Sequence, residues 1–404
     1  MKVVRDPIHG YIELDELALR LIDTPQVQRL RRIRQLGLSN MVYPGANHTR
    51  FEHSLGTMHL ANSMKHNVYD DTVSDNLDEL SAAALLHDVG HPPFSHVTED
   101  IIKKYTGKGH EDVRNILRHS PVAEILNDYS IDVTNVEKHI KGATPLGQIL
   151  SSEIDVDRMD YLVRDAHYTG VPHITDTVRL IHEMKFFENQ LVVNSGGLRA
   201  AESLLLARFL MHPTVYYHHV SRIAETMYVH AVEYMIENDD NGSVLNPNDL
   251  RFMDDYQIMA KLSASEGYPK EIHTRLNERR MFKRAIYVGF DMVGENVLKL
   301  RGKEHRLRRE IAESAGIDEG YVLVDIPKKP VIPEMKARVM INGEMKRLDE
   351  ASSLVNSLES AHAMSWRMGV YTLPEYKERV RKVAKDVFNV KKTTTQYKLD
   401  DVIA

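Results

Sequence analysis

His87-Asp88-Val89-Gly90-His91-Pro92-Pro93-Phe94-Ser95-His96 is the stretch whose reading decides the fold. The run before it, Leu80-Ser81-Ala82-Ala83-Ala84-Leu85-Leu86, is apolar and reads as a helix. Gly90 and Pro92 break that helix, so His87 and Asp88 fall at its end, with His91 and His96 just beyond. Chains rarely devote so many imidazoles and helix breakers to packing. The stretch reads as a metal site with acid–base groups beside it, and the first expectation is a metal-dependent hydrolase.

Working outward, the metal needs more ligands. Adjacent residues on a regular helix diverge by roughly 100°, so His87 and Asp88 can share one ion only where the helix ends. His53, in Arg50-Phe51-Glu52-His53, opens an earlier helix and can join them. Asp157, in Glu153-Ile154-Asp155-Val156-Asp157-Arg158-Met159-Asp160-Tyr161, supplies the second carboxylate. Two imidazoles and two carboxylates suit Mn, Fe, Zn or Ni better than calcium, and leave positions open for water. A lone His is more often a satisfied core or surface residue; the four together outweigh that reading.

The bulk properties bound the rest. A chain of 404 residues accommodates one large helical domain and a smaller one. With 42% hydrophobic and 27% charged residues it is an ordinary globular chain. A net charge of −6 argues against a nucleic-acid partner, so an anionic substrate must be held by a local cationic cluster. The absence of cysteine excludes disulfides and thiolate metal sites. No signal peptide or membrane span is evident, and the expectation is a soluble, cytoplasmic protein.

The expected fold is mainly α. Residues 15–36 read as helix with a break at Thr24-Pro25, after a short β-like piece, Tyr11-Ile12-Glu13-Leu14. Helices are expected at about 52–69, 78–89, 95–105, 110–118, 121–127, 145–151 and 157–167, and a long helical stretch over 197–238. Asn238-Asp239-Asp240-Asn241-Gly242 is a polar turn, which divides the chain into a helical domain, 1–238, and an α+β region, 239–404. Within the latter, Arg284–Gly289 and Tyr321–Asp325 read as strands, and Val339–Met345 as a hairpin around Asn342-Gly343. The polar end, 391–404, is expected to fray.

His53, then His87-Asp88, then Asp157 resembles the H…HD…D signature of the HD-domain phosphohydrolase superfamily. Further stretches carry the resemblance closer: Asp6-Pro7-Ile8-His9-Gly10, Asp23-Thr24-Pro25-Gln26-Val27-Gln28-Arg29-Leu30-Arg31, Tyr43-Pro44-Gly45-Ala46 and Arg50-Phe51-Glu52-His53-Ser54-Leu55-Gly56. Together they are similar to the SAM-and-HD-domain deoxynucleoside triphosphate triphosphohydrolases, strongly over 1–235 and loosely beyond. The chain reads as starting directly at the HD portion, without the SAM domain.

The resemblance implies a helical HD-domain core and hydrolysis of a dNTP at the α-phosphorus, releasing deoxynucleoside and triphosphate. It implies His53, His87, Asp88 and Asp157 at the metal, with Mg on the substrate phosphates. His96 is implied as general acid, with His91 and His110 around the phosphates. Glu99, three residues after His96, is placed to orient an imidazole, where relatives commonly carry Asp. Arg50, Arg158, Arg208 and His212 match phosphate-contacting positions. Asp157, Tyr161 and Asp165 are spaced four and four and share a helix face, so Tyr161 and Asp165 are expected to line the substrate cavity. Matching adds Gln35 and Leu36 near the sugar, and Tyr216 where a 2′ hydroxyl would clash.

Activated relatives bind a guanine nucleotide between subunits. Lys2, Val3, Asp23, Gln28 and Arg31 match that site, implying GTP or dGTP as activator and a homo-oligomer, dimer or tetramer. Bare physics reads the same residues as a helix cap and a solvated face. Two other functions stay open: an HD nucleotidase or phosphodiesterase, distinguished by its products, and a non-enzymatic nucleotide sensor, which would have no use for a general acid.

Overall fold

The computed structural model describes residues 2–65, 77–238, 245–329 and 332–391. The chain is mainly α-helical, with nine short strands among the described residues. These are β1 (Lys2–Asp6), β2 (Gly10–Leu14), β3 (Met184–Phe187), β4 (Gln190–Asn194), β5 (Lys283–Val288), β6 (Val322–Asp325), β7 (Arg338–Ile341), β8 (Glu344–Arg347) and β9 (Met368–Thr372). Two compact units form, one from residues 1–280 and 331–360, the other from 281–330 and 361–404.

In the larger unit, helices surround one apolar core running from Ile12 to Leu358. The helix Leu77–Leu86 is its centre, and every residue from Glu79 to Leu86 is buried. An Ala- and Leu-rich helix with no polar face is stable only when wrapped on all sides. The helices Arg50–Met64 and Val133–Ile140 pack on it, and Val156–Thr169 packs on Arg50–Met64. The first of these starts with Glu52 accepting from the Thr49 backbone N–H at 2.7 Å, half of a capping box. The last starts with Asp155 accepting from the Arg158 N–H at 2.8 Å and ends at left-handed Gly170. These caps fix which turn of each helix faces the core, and hence where His53 and Asp157 stand.

Two small sheets complete this unit. β1 pairs antiparallel with β2. The second has the order β3-β4-β7-β8, with β4 and β7 parallel. Its β7–β8 hairpin turns at Asn342 (φ 52°) and Gly343 (φ 83°), the pair of positive φ values that Asn-Gly favours. The smaller unit is a three-stranded antiparallel sheet, β5-β9-β6. The helices Glu304–Ala315 and Lys377–Val387 pack against it and each other. Trp366, 1% exposed, stacks on Phe290 in its core.

Several local expectations are corrected. The long helix over 197–238 is interrupted: Leu198–Met211 gives way to a π-helical turn, His212–Tyr216, before His219–Glu237. Pro213 has no N–H to continue the ladder, and the wider turn absorbs the defect. Helix over 110–118 is confined to Arg114–Arg118, and 145–151 is a 3₁₀ turn, Leu146–Ile149. The helix Val133–Ile140 and the β3–β4 hairpin were not expected. That hairpin turns at Glu188 and Asn189, both at positive φ, without the glycine that would have announced it. Of the expected boundary at 238–242 only Asn238 lies among the described residues. The larger unit continues past it, because the helix Tyr268–Asn277 packs back on His219–Glu237. The end expected to fray lies outside the described residues but for Lys391.

Candidate active site

The expected metal ligands meet at one point. His53 Nε2 lies 2.9 Å from Asp157 Oδ1 and 3.2 Å from His87 Nε2. His87 Nε2 is 3.8 Å from Asp157 Oδ1. Asp88 Oδ1 stands 3.3 Å from His87 Nε2, and its Oδ2 is 3.7 Å from His53 Nε2. Among the described residues, His53, His87 and Asp157 are one of three groups with the spacing of a three-donor metal site; the other two, His91–His96–His110 and Glu99–His110–Glu111, lie in the histidine cluster beside it.

The atoms behind these ligands decide their protonation. His53 Nδ1 is 2.8 Å from Asp160 Oδ2, and His87 Nδ1 is 2.7 Å from the Ala84 carbonyl. Both partners are acceptors, so each Nδ1 carries the proton and each Nε2 presents a lone pair. Two lone pairs and a carboxylate facing one another within 4 Å repel unless a cation stands between them. Burial pushes His53 down, yet Asp157 and Asp160 outweigh it and raise its pKa to about 10, so a proton serves as that cation in the bare site. The donor set therefore fits a divalent transition metal.

Asp160 is itself held from three sides. His9 Nε2 approaches it at 2.6 Å, and Arg164 donates from Nε at 2.8 Å and Nη2 at 2.9 Å. Arg164 continues to Asp6 at 2.8 Å. This buried chain passes so close to the Arg50–Met64 helix that a Cβ at Gly56 would meet Asp160 Oδ1 at 1.9 Å. Only glycine fits one turn after His53. Asp160 and Gly56 stand inside stretches quoted above, but spacing alone gave them no role.

A second histidine cluster adjoins the first. His91, 1% exposed, places Nε2 3.2 Å from Asp88 Oδ1 and stacks on His110 with centroids 4.1 Å apart. His96 stands edge-on to both, its side chain 64% exposed. Glu99 joins the two outer rings, 2.8 Å from Nδ1 of His96 and 2.8 Å from Nδ1 of His110. Burial lowers His110 but Glu99 wins and raises its pKa. Burial, with the charges of Arg50 and His110, holds His91 well below its usual range, as a neutral ring. His96 is aimed by a strained turn: Phe94 and Ser95 both sit at positive φ, 55° and 58°. Buried Asp255 holds that turn, accepting from Phe94 N at 2.7 Å and Arg34 N at 3.0 Å.

Next come the expected substrate residues. Arg50 is buried, donating to Asp88 Oδ2 and Ser95 Oγ, both at 2.9 Å. Arg158 and Arg208 converge on Glu334 at 2.9 and 2.7 Å, and Arg208 also donates to Tyr161 Oη. Glu334 lies 176 positions after Arg158, and nothing in the sequence pointed to it. Asp165 is bonded on both oxygens, by His48 Nε2 and by Tyr216 Oη, each at 2.8 Å. His212 stacks on Tyr217 and stands edge-on to Tyr216. Gln35 is buried, its Oε1 without a hydrogen-bond partner among the described residues, and Leu36 packs on the core. A cavity of about 540 Å³ opens onto His87, Asp157, Glu99 and His110.

The expected activator residues lie on the N-terminal strand and the helices that follow it. Lys2 and Val3 are exposed on β1, and Asp23 ends the helix Glu16–Ile22. Gln28 accepts from Arg31 at 3.0 Å, and the Arg31 guanidinium lies over the Phe51 ring.

Residues 50–165 match the HD domain and residues 175–399 the HD-associated region. The chain belongs to this family of HD-domain phosphohydrolases. It is 35% identical to an uncharacterised protein of Methanocaldococcus jannaschii, over 96% of this chain and 84% of that protein. It is 28% identical to the human deoxynucleoside triphosphate triphosphohydrolase SAMHD1, over 81% of this chain and 61% of the relative. A phosphohydrolase of Bacteroides thetaiotaomicron superposes with a TM-score of 0.72 at 27% identity, covering 92% of this chain and 99% of that one. Among the described residues, no helix is long and apolar enough to cross a membrane.

Proposed function

We propose that the protein hydrolyses deoxynucleoside triphosphates to deoxynucleoside and inorganic triphosphate. The observation that carries this is the meeting of two unlike histidine groups: the His53–His87–Asp157 donor set, and beside it His91, His96 and His110 gathered around Glu99. Relatedness to a human enzyme named for this reaction supports it.

A divalent ion, when bound by His53, His87, Asp88 and Asp157, supplies an activated water and a polarised phosphoryl oxygen. The side chains do the rest. Water adds at the α-phosphorus and the bond to the 5′ oxygen breaks; His96 delivers the proton that this oxygen needs. Glu99 holds the His96 and His110 rings by Nδ1, so both turn Nε2 away from it, and its charge raises the His110 pKa against the effect of burial. Arg50, Arg158, Arg208 and His212 receive the phosphates, with Mg accompanying them, and Arg158 and Arg208 exchange Glu334 for phosphate oxygens. Tyr161 and Asp165 face the sugar, Gln35 offers its unpaired oxygen to the 3′ hydroxyl beside Leu36, and Tyr216 closes the 2′ side. His48 and Tyr216 fix Asp165 in place for this.

GTP or dGTP, bound by Lys2, Val3, Asp23, Gln28 and Arg31 between subunits of a homo-oligomer, is the proposed activator, and the cytoplasm the proposed location. Incubation with each dNTP and manganese, with and without GTP, tests the reading by anion exchange of the products. Triphosphate and nucleoside are expected. Monophosphate or orthophosphate would instead make the protein a nucleotidase or phosphodiesterase, and no turnover would leave a sensor.

A further inference from the structure

A second cavity, of about 410 Å³, adjoins the active-site cavity and shares Lys141 and Asp112 with it. Four cationic side chains from separate stretches line it, Lys108, Arg114, Lys141 and Arg251, against two carboxylates, Asp112 and Glu137. Lys141 bonds both carboxylates, at 2.7 and 3.1 Å, and Arg114 pairs with Glu137. That leaves two positive charges in excess, in a chain whose net charge is −6. The walls carry no aromatic and no large apolar side chain, so a nucleobase would find nothing to stack on.

Arg251 is the telling residue. It is 6% exposed, and its Nε has no hydrogen-bond partner among the described residues. A buried, unpaired guanidinium N–H is costly and is what an oxyanion satisfies. Its Nη2 is already used, donating to the Gly109 and Asp112 carbonyls at 2.8 and 2.9 Å. Those carbonyls flank His110. On the other side the loop presses on Gly90, where a Cβ would meet the His110 carbonyl at 1.9 Å. The loop is thus clamped between Arg251 and the turn that follows the ligands His87 and Asp88.

We propose that this second cavity binds inorganic oligophosphate and acts as a receiving site for the triphosphate formed next door. The identity of that anion as product rests on the function proposed above; the binding site itself does not. Several negative charges, no base and a planar guanidinium fork match the lining. An occupant would bear on the loop that carries His110, so accumulated triphosphate slows turnover from outside the metal centre.

Calorimetric titration of the full-length protein in EDTA, with inorganic triphosphate, orthophosphate and dATP, tests this. The comparison protein is Lys108→Gln/Arg114→Gln, since neither residue belongs to the active site. Triphosphate is expected to bind the wild type and to weaken about tenfold or more in the double variant. Its initial rate without added triphosphate should be unchanged, while added triphosphate inhibits it less than the wild type. Lys108→Arg/Arg114→Lys should restore binding. Equal triphosphate affinity in wild type and double variant would overturn the proposal, as would dATP binding there more tightly than triphosphate. Orthophosphate binding as tightly as triphosphate would mark an adventitious anion patch only. Loss of dNTP turnover in the wild type, with triphosphate still bound, would sink the proposed reaction and spare the site.

Discussion

The two histidine groups use one side chain for opposite ends. His53 and His87 are buried, and each has its Nδ1 tied to an acceptor inside the protein. Their tautomers are fixed, which suits holding a cation. His96 and His110 hang from a single carboxylate at the wall of the cavity, and His96 is largely exposed. Burial lowers the His96 pKa, whereas Glu99 raises that of His110 against burial. The difference lies behind the rings: a neutral carbonyl and a saturated Asp160 on one side, and a shared Glu99 on the other. An imidazole's role is set by what its far nitrogen touches.

That contrast can be broken in order of severity. Replacing His87 and Asp88 by Ala should abolish both bound metal, read by elemental analysis, and turnover; activity retained without metal would end the assignment. His96→Ala should keep its metal and lose about 10²–10⁴ in rate, as removal of a general acid does. If that variant turned over normally, the second group would have no chemical role. Asp160→Asn should weaken metal affinity by about 10–100-fold, read by competition with a chelator, because His53 loses its charged partner.

Glu99→Gln gives the smallest effect, and its sign follows from the shifts. His110 is raised above its ordinary value, so its pairing stabilises the fold below the unfolded histidine pKa and fades as pH rises through the folded one. Glu99 is depressed, so its share is present above the ordinary carboxylate range and fades as pH falls. The variant should therefore lose most melting temperature near pH 6 and least near pH 9. A deficit that does not change with pH would mean Glu99 acts through packing alone.

The sequence pointed to the proposed ligands more readily than to the residues behind them. His53, His87, Asp88 and Asp157 stood out because their residue types are rarely grouped without a purpose, and helix ends marked by Gly90 and Pro92 told where they face. Asp160 and Arg164 were legible in principle, spaced four apart on the helix that carries Asp157. Glu334, Asp255 and Arg251 were not. Each reaches the site across more than a hundred residues of chain, and no periodicity encodes such a meeting. Secondary structure followed the same rule. The Asn342-Gly343 hairpin was announced by its turn chemistry, whereas the π-helical turn at His212–Tyr216 was marked only by the single breaker Pro213 within a stretch that otherwise reads as one helix.

Asp255 carries a consequence for how the molecule can be divided. The HD domain by sequence ends at residue 165, yet the turn that aims His96 is gripped by a carboxylate ninety positions later. Arg158 and Arg208 likewise answer to Glu334, reached only after the chain has left the larger unit at residue 280 and returned at 331. A fragment cut at the edge of the HD domain would retain every proposed metal ligand and lose the carboxylate that holds the turn carrying His96, the proposed acid. If those roles hold, the smallest unit able to carry the proposed reaction is longer than the signature by which the family is recognised.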